Sequence, residues 1–192
     1  MSGSPQLYGL VLVGGKSNRM GYDKSMIDYN GQPQWQFAVN QLNPLVDKVF
    51  LSVRQGQTYD FPNLIEDKYP GKGPFGAILT ALETYPDTAF LVLATDIPEV
   101  NYDLLSKLIQ SRNRTKIATA FQGLSKSYAE PLICIWEPKA LESFQNNFQK
   151  TIFKIQNILR NNPIEIVQVQ DYVIQNINTP QEKMDYKGDK NL

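Results

Sequence analysis

Leu10-Val-Leu-Val-Gly-Gly-Lys-Ser-Asn-Arg-Met-Gly-Tyr-Asp-Lys24 is the stretch on which the fold turns. Residues 7–13 form an apolar run of the length of a buried strand. The run breaks on Gly14-Gly15. Residues 16–24 then supply Lys16, Arg19 and Lys24, a serine hydroxyl, an asparagine amide and a third glycine. Glycines bring an anion close to the main chain and its N–H groups. The cations add charge that a glycine loop alone lacks. The stretch reads as a nucleoside triphosphate site.

Two familiar phosphate loops do not fit it. The P-loop spacing ending at Gly15-Lys16-Ser17 requires glycine where Leu10 stands. A G-x-G-x-x-G match occurs later, at Gly71-Lys-Gly-Pro-Phe-Gly76, with Asp96 twenty residues beyond. It follows no full strand, and Pro74 removes a donor that a pyrophosphate would use. A dinucleotide site is therefore the weaker interpretation there.

Composition narrows the chemistry. The chain has no histidine and a single cysteine, Cys134. Ser-His and Cys-His nucleophilic catalysis are excluded, as are zinc sites and an internal disulfide. Cys134 lies in an apolar run and is expected to be a packing thiol. Carboxylates, lysine, arginine and hard metal ions remain, which suits nucleotidyl transfer better than acyl transfer. Nineteen basic residues balance nineteen acidic ones, so no bulk nucleic-acid affinity is expected. No apolar run approaches membrane-spanning length and no leader pattern opens the chain; a soluble, cytoplasmic protein with no membrane partner is expected.

The remaining pattern alternates strands and helices. Strands are expected at residues 48–53, 63–67, 89–94, 116–120, 130–136 and 164–169. Helices are expected at 35–42, after Pro74, and at 101–110, 138–148 and 151–160, the last with Ile152, Ile155, Ile158 and Leu159 inward. Residues 121–129 read as a loop. Thr179 and Pro180 suggest the start of a final helix, before a polar tail at 184–192. Residues 89–94 are uninterrupted apolar, as a strand covered on both faces should be. They lead into Thr95-Asp96-Ile97-Pro98, and an acid there stands where open α/β sheets bind ligands. A plainer role for Asp96 is a helix cap.

Residues 12–24 resemble the signature L-x-G-G-x-S-x-R-M-G-x-D-K of the molybdenum cofactor guanylyltransferases, the MobA-like nucleotidyltransferases. Gly73-Pro-Phe-Gly76 is similar to that family's G-P-L-x-G loop, and Thr95-Asp-Ile-Pro98 to its C-D-x-P motif. Glu130-Pro-Leu132 resembles an E-P-L segment of related proteins, and Asn176-Ile-Asn-Thr-Pro-Gln-Glu182 an N-x-N-T-P-E-D motif with its acidic pair shifted. The resemblance implies one α/β domain over residues 1–192, with a core of about 7–183. The implied fold is a Rossmann-like three-layer α/β/α sandwich of the GT-A nucleotidyltransferase type, with a mainly parallel sheet.

It also implies roles. Leu12, Val13 and Gly14 contact the base through backbone groups, Asp67 binds the nucleoside, and Arg19 and Lys24 hold phosphates. Asp96 binds Mg²⁺. Lys16 and Asn178 stand as open candidates, whereas Arg54 falls where some members use Asn near the nucleotide and is not counted among the site residues. The implied reaction transfers GMP from GTP to the terminal phosphate of molybdenum-molybdopterin and releases pyrophosphate, with molybdoenzyme maturation proteins as further partners. Alternatives are a cytidylyl- or sugar-nucleotidyltransferase and an inactive nucleotide-binding relative. A GT-A glycosyltransferase is disfavoured because the sequence has no D-x-D motif.

Overall fold

A computed structural model of the chain describes residues 6–14, 24–26, 31–97 and 99–174, without the side chain of Lys24. Lys16, Arg19, Asn178 and the helix expected after Thr179 lie outside the described residues.

The apolar run that opens the chain becomes β1, Leu7–Leu12. The later runs become β2 (Lys48–Val53), β3 (Leu64–Glu66), β4 (Ala89–Ala94), β5 (Ala118–Gly123), β6 (Ile133–Trp136) and β7 (Ile164–Val169). Among the described residues these form one seven-stranded sheet in the order β3-β2-β1-β4-β6-β5-β7. All neighbours are parallel except β6, which is antiparallel to both β4 and β5. The order reverses between β1 and β4: from β1 the chain builds outward to β2 and β3, then returns to place β4 on the other side.

Helices cover both faces: α1 (Gln34–Leu42) and α3 (Tyr102–Gln110) on one, α2 (Pro74–Thr84), α4 (Ala140–Gln149) and α5 (Ile155–Arg160) on the other. The strand period of two divides the core between them. Leu7 and Val11 of β1, and Val13 just past it, join Ala38, Leu42, Leu105 and Leu108. Leu10 instead joins Phe50, Val92, Ile78 and Leu82. All six residues of β4 are buried, as its unbroken apolar sequence predicts. Each large side chain so buried contributes about 1.5–3 kcal/mol relative to exposure. Cys134 is among these core side chains, and burial pushes its thiol well above the usual range.

α2 departs from a simple amphipathic helix, since every residue from Phe75 to Leu82 is buried. One side meets the sheet and another meets α4, where Phe75 and Phe144 stand 5.1 Å apart. The loop expected at 121–129 is shorter than its sequence suggests. β5 runs on to Gly123, pairing Gln122 and Gly123 with Gln168 and Val169 of β7. The helix expected at 151–160 begins only at Ile155. Thr151, at φ 56°, ends α4 in the left-handed region. Its N–H bonds to Phe148 O and that of Ile152 to Asn147 O, the paired bonds of a Schellman terminus. Ile152 is thereby turned out and 37% exposed, whereas Ile155, Ile158 and Leu159 are buried as expected.

Among the described residues, no helix is long and apolar enough to cross a membrane.

Candidate functional site

The parallel strands on both sides of the reversal end at one edge of the sheet, and the segments leaving them enclose a cleft of about 850 Å³. Leu12, Val13, Gly14, Asp67 and Asp96 all line it, although the sequence separates them by more than eighty positions. Arg54 lines it too, as does Ser25, the residue after Lys24. Lys24 opens a short 3-10 turn, Lys24–Met26.

Each wall has a local cause. Val13 extends the ladder one residue past β1 by donating to Ser52 O at 3.1 Å. Asp67 continues β3 by donating its N–H to Val53 O at 2.9 Å. Its Oδ1 then accepts from the N–H of Tyr69 at 2.8 Å, an Asx turn, and from Thr80 Oγ1 at 3.4 Å. Thr80 also accepts from the N–H of Lys68. Asp67 is therefore a structural hinge between β3 and α2 as well as a lining residue of the cleft.

The glycine-proline loop owes two of its glycines to this packing. Gly73 holds φ 58° at the start of α2, with Pro74 pre-set for the first helical turn. A Cβ on Gly76 would lie 2.8 Å from Tyr69 O and 3.0 Å from Asp67 Oδ1. Gly76 thus lets the helix touch the Asx turn. These backbone demands explain the G-x-G-x-x-G spacing without a dinucleotide. Lys72 extends over the ring of Phe153, 4.1 Å from its centroid, and steadies the same loop.

Asp96 follows β4 and faces the cleft, with Oδ1 buried. It does not cap the next helix: Asn101 does, accepting from the N–H of Leu104 at 3.0 Å. A second acid lies near it. Because β6 runs antiparallel to β4, the residues before β6 arrive at the edge where β4 ends. Ala94 donates to Leu132 O at 3.0 Å, and Glu130 Oε1 accepts from the N–H of Leu132 at 3.1 Å. Burial lifts the Glu130 carboxyl to about 7, the Leu132 bond pulls it down, and the charge of Asp96 pushes it up. The sequence held Glu130 only as part of a motif. Its signal is the acid-proline pair ahead of an apolar strand, but its placement depends on the strand's direction.

Among the described residues, no three acids, cysteines or histidines come together as a metal cluster. The donor set at this edge suits Mg²⁺ nonetheless. That ion takes one or two carboxylates and completes its shell with substrate phosphates and water. Asp96 would supply the carboxylate, with Glu130 close by as a second acid.

A third group ties the cleft's rim together. Gln57 Oε1 accepts from the N–H of Arg54 at 3.1 Å, and Gln57 Nε2 donates to the Tyr59 hydroxyl at 3.2 Å and to Val13 O at 3.5 Å. The Tyr59 and Ser25 hydroxyls are 2.7 Å apart.

Known proteins resemble this chain in sequence and in fold. The MobA-like NTP transferase domain family matches residues 9–164. A molybdenum cofactor biosynthesis bifunctional protein of Synechocystis is 36% identical over 189 residues, 92% of this chain and 52% of its own length. The chain thus spans about half of that relative. A probable molybdenum cofactor guanylyltransferase of Flavobacterium johnsoniae is 29% identical over 91% of this chain and 93% of its own. The solved molybdopterin-guanine dinucleotide biosynthesis protein A of Archaeoglobus fulgidus shares the fold, with a TM-score of 0.78, 21% identity and coverage of 96% and 98%.

Proposed function

The chain belongs to the MobA-like NTP transferase domain family, and from that premise we propose that it transfers GMP from GTP to the terminal phosphate of molybdenum-molybdopterin. The products are the guanine dinucleotide cofactor and pyrophosphate. The observation that carries the proposal is the gathering of Leu12, Val13, Gly14, Asp67 and Asp96 around one cleft at the sheet's reversal. The names of the Synechocystis and Flavobacterium relatives support molybdenum cofactor chemistry and, for the second, guanylyl transfer.

In this reaction the base lies against the backbone of Leu12, Val13 and Gly14, and Asp67 meets the nucleoside. Arg19 and Lys24 hold the phosphates. An acceptor phosphate oxygen attacks the α-phosphorus in line, the bond to the bridging oxygen breaks, and pyrophosphate leaves with that electron pair. No covalent enzyme intermediate is needed. Positioning and charge neutralisation carry the rate. Asp96 would hold Mg²⁺, which supplies positive charge beside the phosphate oxygens. GTP and the molybdenum-molybdopterin acceptor are the partners of this reaction. Docking to molybdoenzyme maturation proteins and a cytoplasmic setting follow from it as parts of the same proposal.

Asp96→Ala is expected to lower Mg²⁺-dependent pyrophosphate release from GTP, with acceptor present, by at least about a hundredfold. Release at the wild-type rate from a folded variant would remove Asp96 from the mechanism.

A further inference from the structure

Lys24 is the phosphate cation of the reading above, yet it sits in a turn of only three residues, Lys24–Met26. Something must fix that turn against the sheet. Ser25, 1% exposed, is the inward residue of the turn. Its Oγ meets the Tyr59 hydroxyl at 2.7 Å, and Tyr59 comes from the segment joining β2 to β3.

The Tyr59 oxygen is anchored in turn by its neighbours. Gln57 Oε1 accepts from the N–H of Arg54, so its amide nitrogen faces Val13 O and the Tyr59 oxygen. The reversed amide would set a donor against the N–H of Arg54 and an acceptor against Val13 O. Tyr59 therefore accepts from Gln57, and its hydroxyl shares a hydrogen bond with that of Ser25 in which either oxygen can donate. The ring is held independently, edge-on against Trp35 of α1 at 5.5 Å. A chain of hydrogen bonds thus runs from the backbone just past β2, through two side chains, to the residue beside Lys24.

We propose that Tyr59 is a positioning residue: its hydroxyl, anchored by Gln57 and hydrogen-bonded to Ser25, fixes the backbone of the turn that carries Lys24 and so supports the role proposed for Lys24 toward the nucleotide's phosphates. The inference rests on the triphosphate reading of Lys24. It predicts an effect that depends on phosphate and on Lys24, which a general packing role does not.

The test is a double-mutant cycle read by calorimetry with GTP and with guanosine, both with Mg²⁺. Tyr59→Phe keeps the ring against Trp35 and removes only the hydroxyl. It is expected to weaken GTP about tenfold and guanosine less than about twofold. In a Lys24→Ala background the same change is expected to cost less than about twofold, because the group it acts through is gone. Ser25→Ala breaks the same link from the other end and carries the test should Tyr59→Phe fail to fold. Equal weakening of GTP and guanosine, an undiminished loss in the Lys24→Ala background, or no loss at all would overturn the proposal. Failure of the triphosphate reading looks different: Lys24→Ala would then bind GTP as tightly as the wild type.

Discussion

At the residue scale, the site depends on acids held in unlike surroundings. Glu130 is the clearest case. Its folded-state pKa, about 7, lies above the ordinary 4.5, chiefly because burial disfavours the charged form. The folded chain therefore binds this proton more firmly than the unfolded chain does. The associated stability is fully present below pH 4.5 and is lost as pH rises through 7. The whole loss is up to about 3 kcal/mol, from the size of the shift. Glu130→Gln keeps the acceptor for the Leu132 N–H and cannot ionise. The variant is expected to match the wild type near pH 4 and to exceed it by up to about 3 kcal/mol at pH 8. Urea unfolding across that range, in the absence of divalent metal, measures the difference. A constant offset at every pH would mean that the carboxyl titrates normally.

At the element scale, the joints between helices and strands decide the outcome. α3 is tied to the sheet just past its end by Arg112, whose Nε donates to Glu137 Oε1 at 2.6 Å and Nη2 to Oε2 at 2.9 Å. The two side chains are only 7% and 1% exposed. Glu137 follows directly after β6, so the pair fixes the helix against the antiparallel strand. Removing one partner leaves the other charge buried without its counter-charge. Arg112→Met is expected to destabilise the fold by about 3–5 kcal/mol, read as a lower urea midpoint. A loss under about 1 kcal/mol would place the pair among ordinary surface bridges.

The same joints mark where sequence was legible and where it was not. The runs at 48–53, 89–94 and 164–169 became strands with those bounds, because unbroken or alternating apolar residues leave few other ways to be buried. Hydrophobic pattern carries no direction, so the antiparallel course of β6, and with it the placing of Glu130 near Asp96, had to come from tertiary pairing. Thr151 hid the late start of α5 at Ile155. A β-branched residue is rare at positive φ, and the usual glycine signal was missing. The polar, glycine-containing stretch from 121 to 129 read as loop, yet pairing with an edge strand held residues 121–123 extended. Leu12, Val13, Gly14, Asp67 and Asp96 line one cleft and were legible as candidates through the family resemblance. The relay of Gln57, Tyr59 and Ser25 was not, since its members become neighbours only when the segment after β2 folds back over the mouth of β1.

At the scale of the whole molecule, the sheet order matters more than any single contact. Reversing between β1 and β4 leaves a crevice that no crossover covers, and three strand ends far apart in sequence open into it. A nucleotide bound there touches the ends of β1, β3 and β4 together, a set of groups that exists only in the folded chain. Binding must then stabilise folding by RT ln(1 + [L]/Kd), about 2.7 kcal/mol at a hundred times Kd. For a chain of 192 residues that corresponds to a rise in melting temperature of roughly 5–10 °C. GTP with Mg²⁺ is expected to give this rise, and CTP, ATP and UTP at equal concentration less than about half of it. Asp96→Ala is expected to reduce the GTP rise, because it removes the carboxylate proposed to hold the ion beside the phosphates. Equal shifts from all four nucleotides would point to recognition of phosphates and metal without the base, and would move the proposed reaction away from guanylyl transfer while leaving the nucleotide cleft in place.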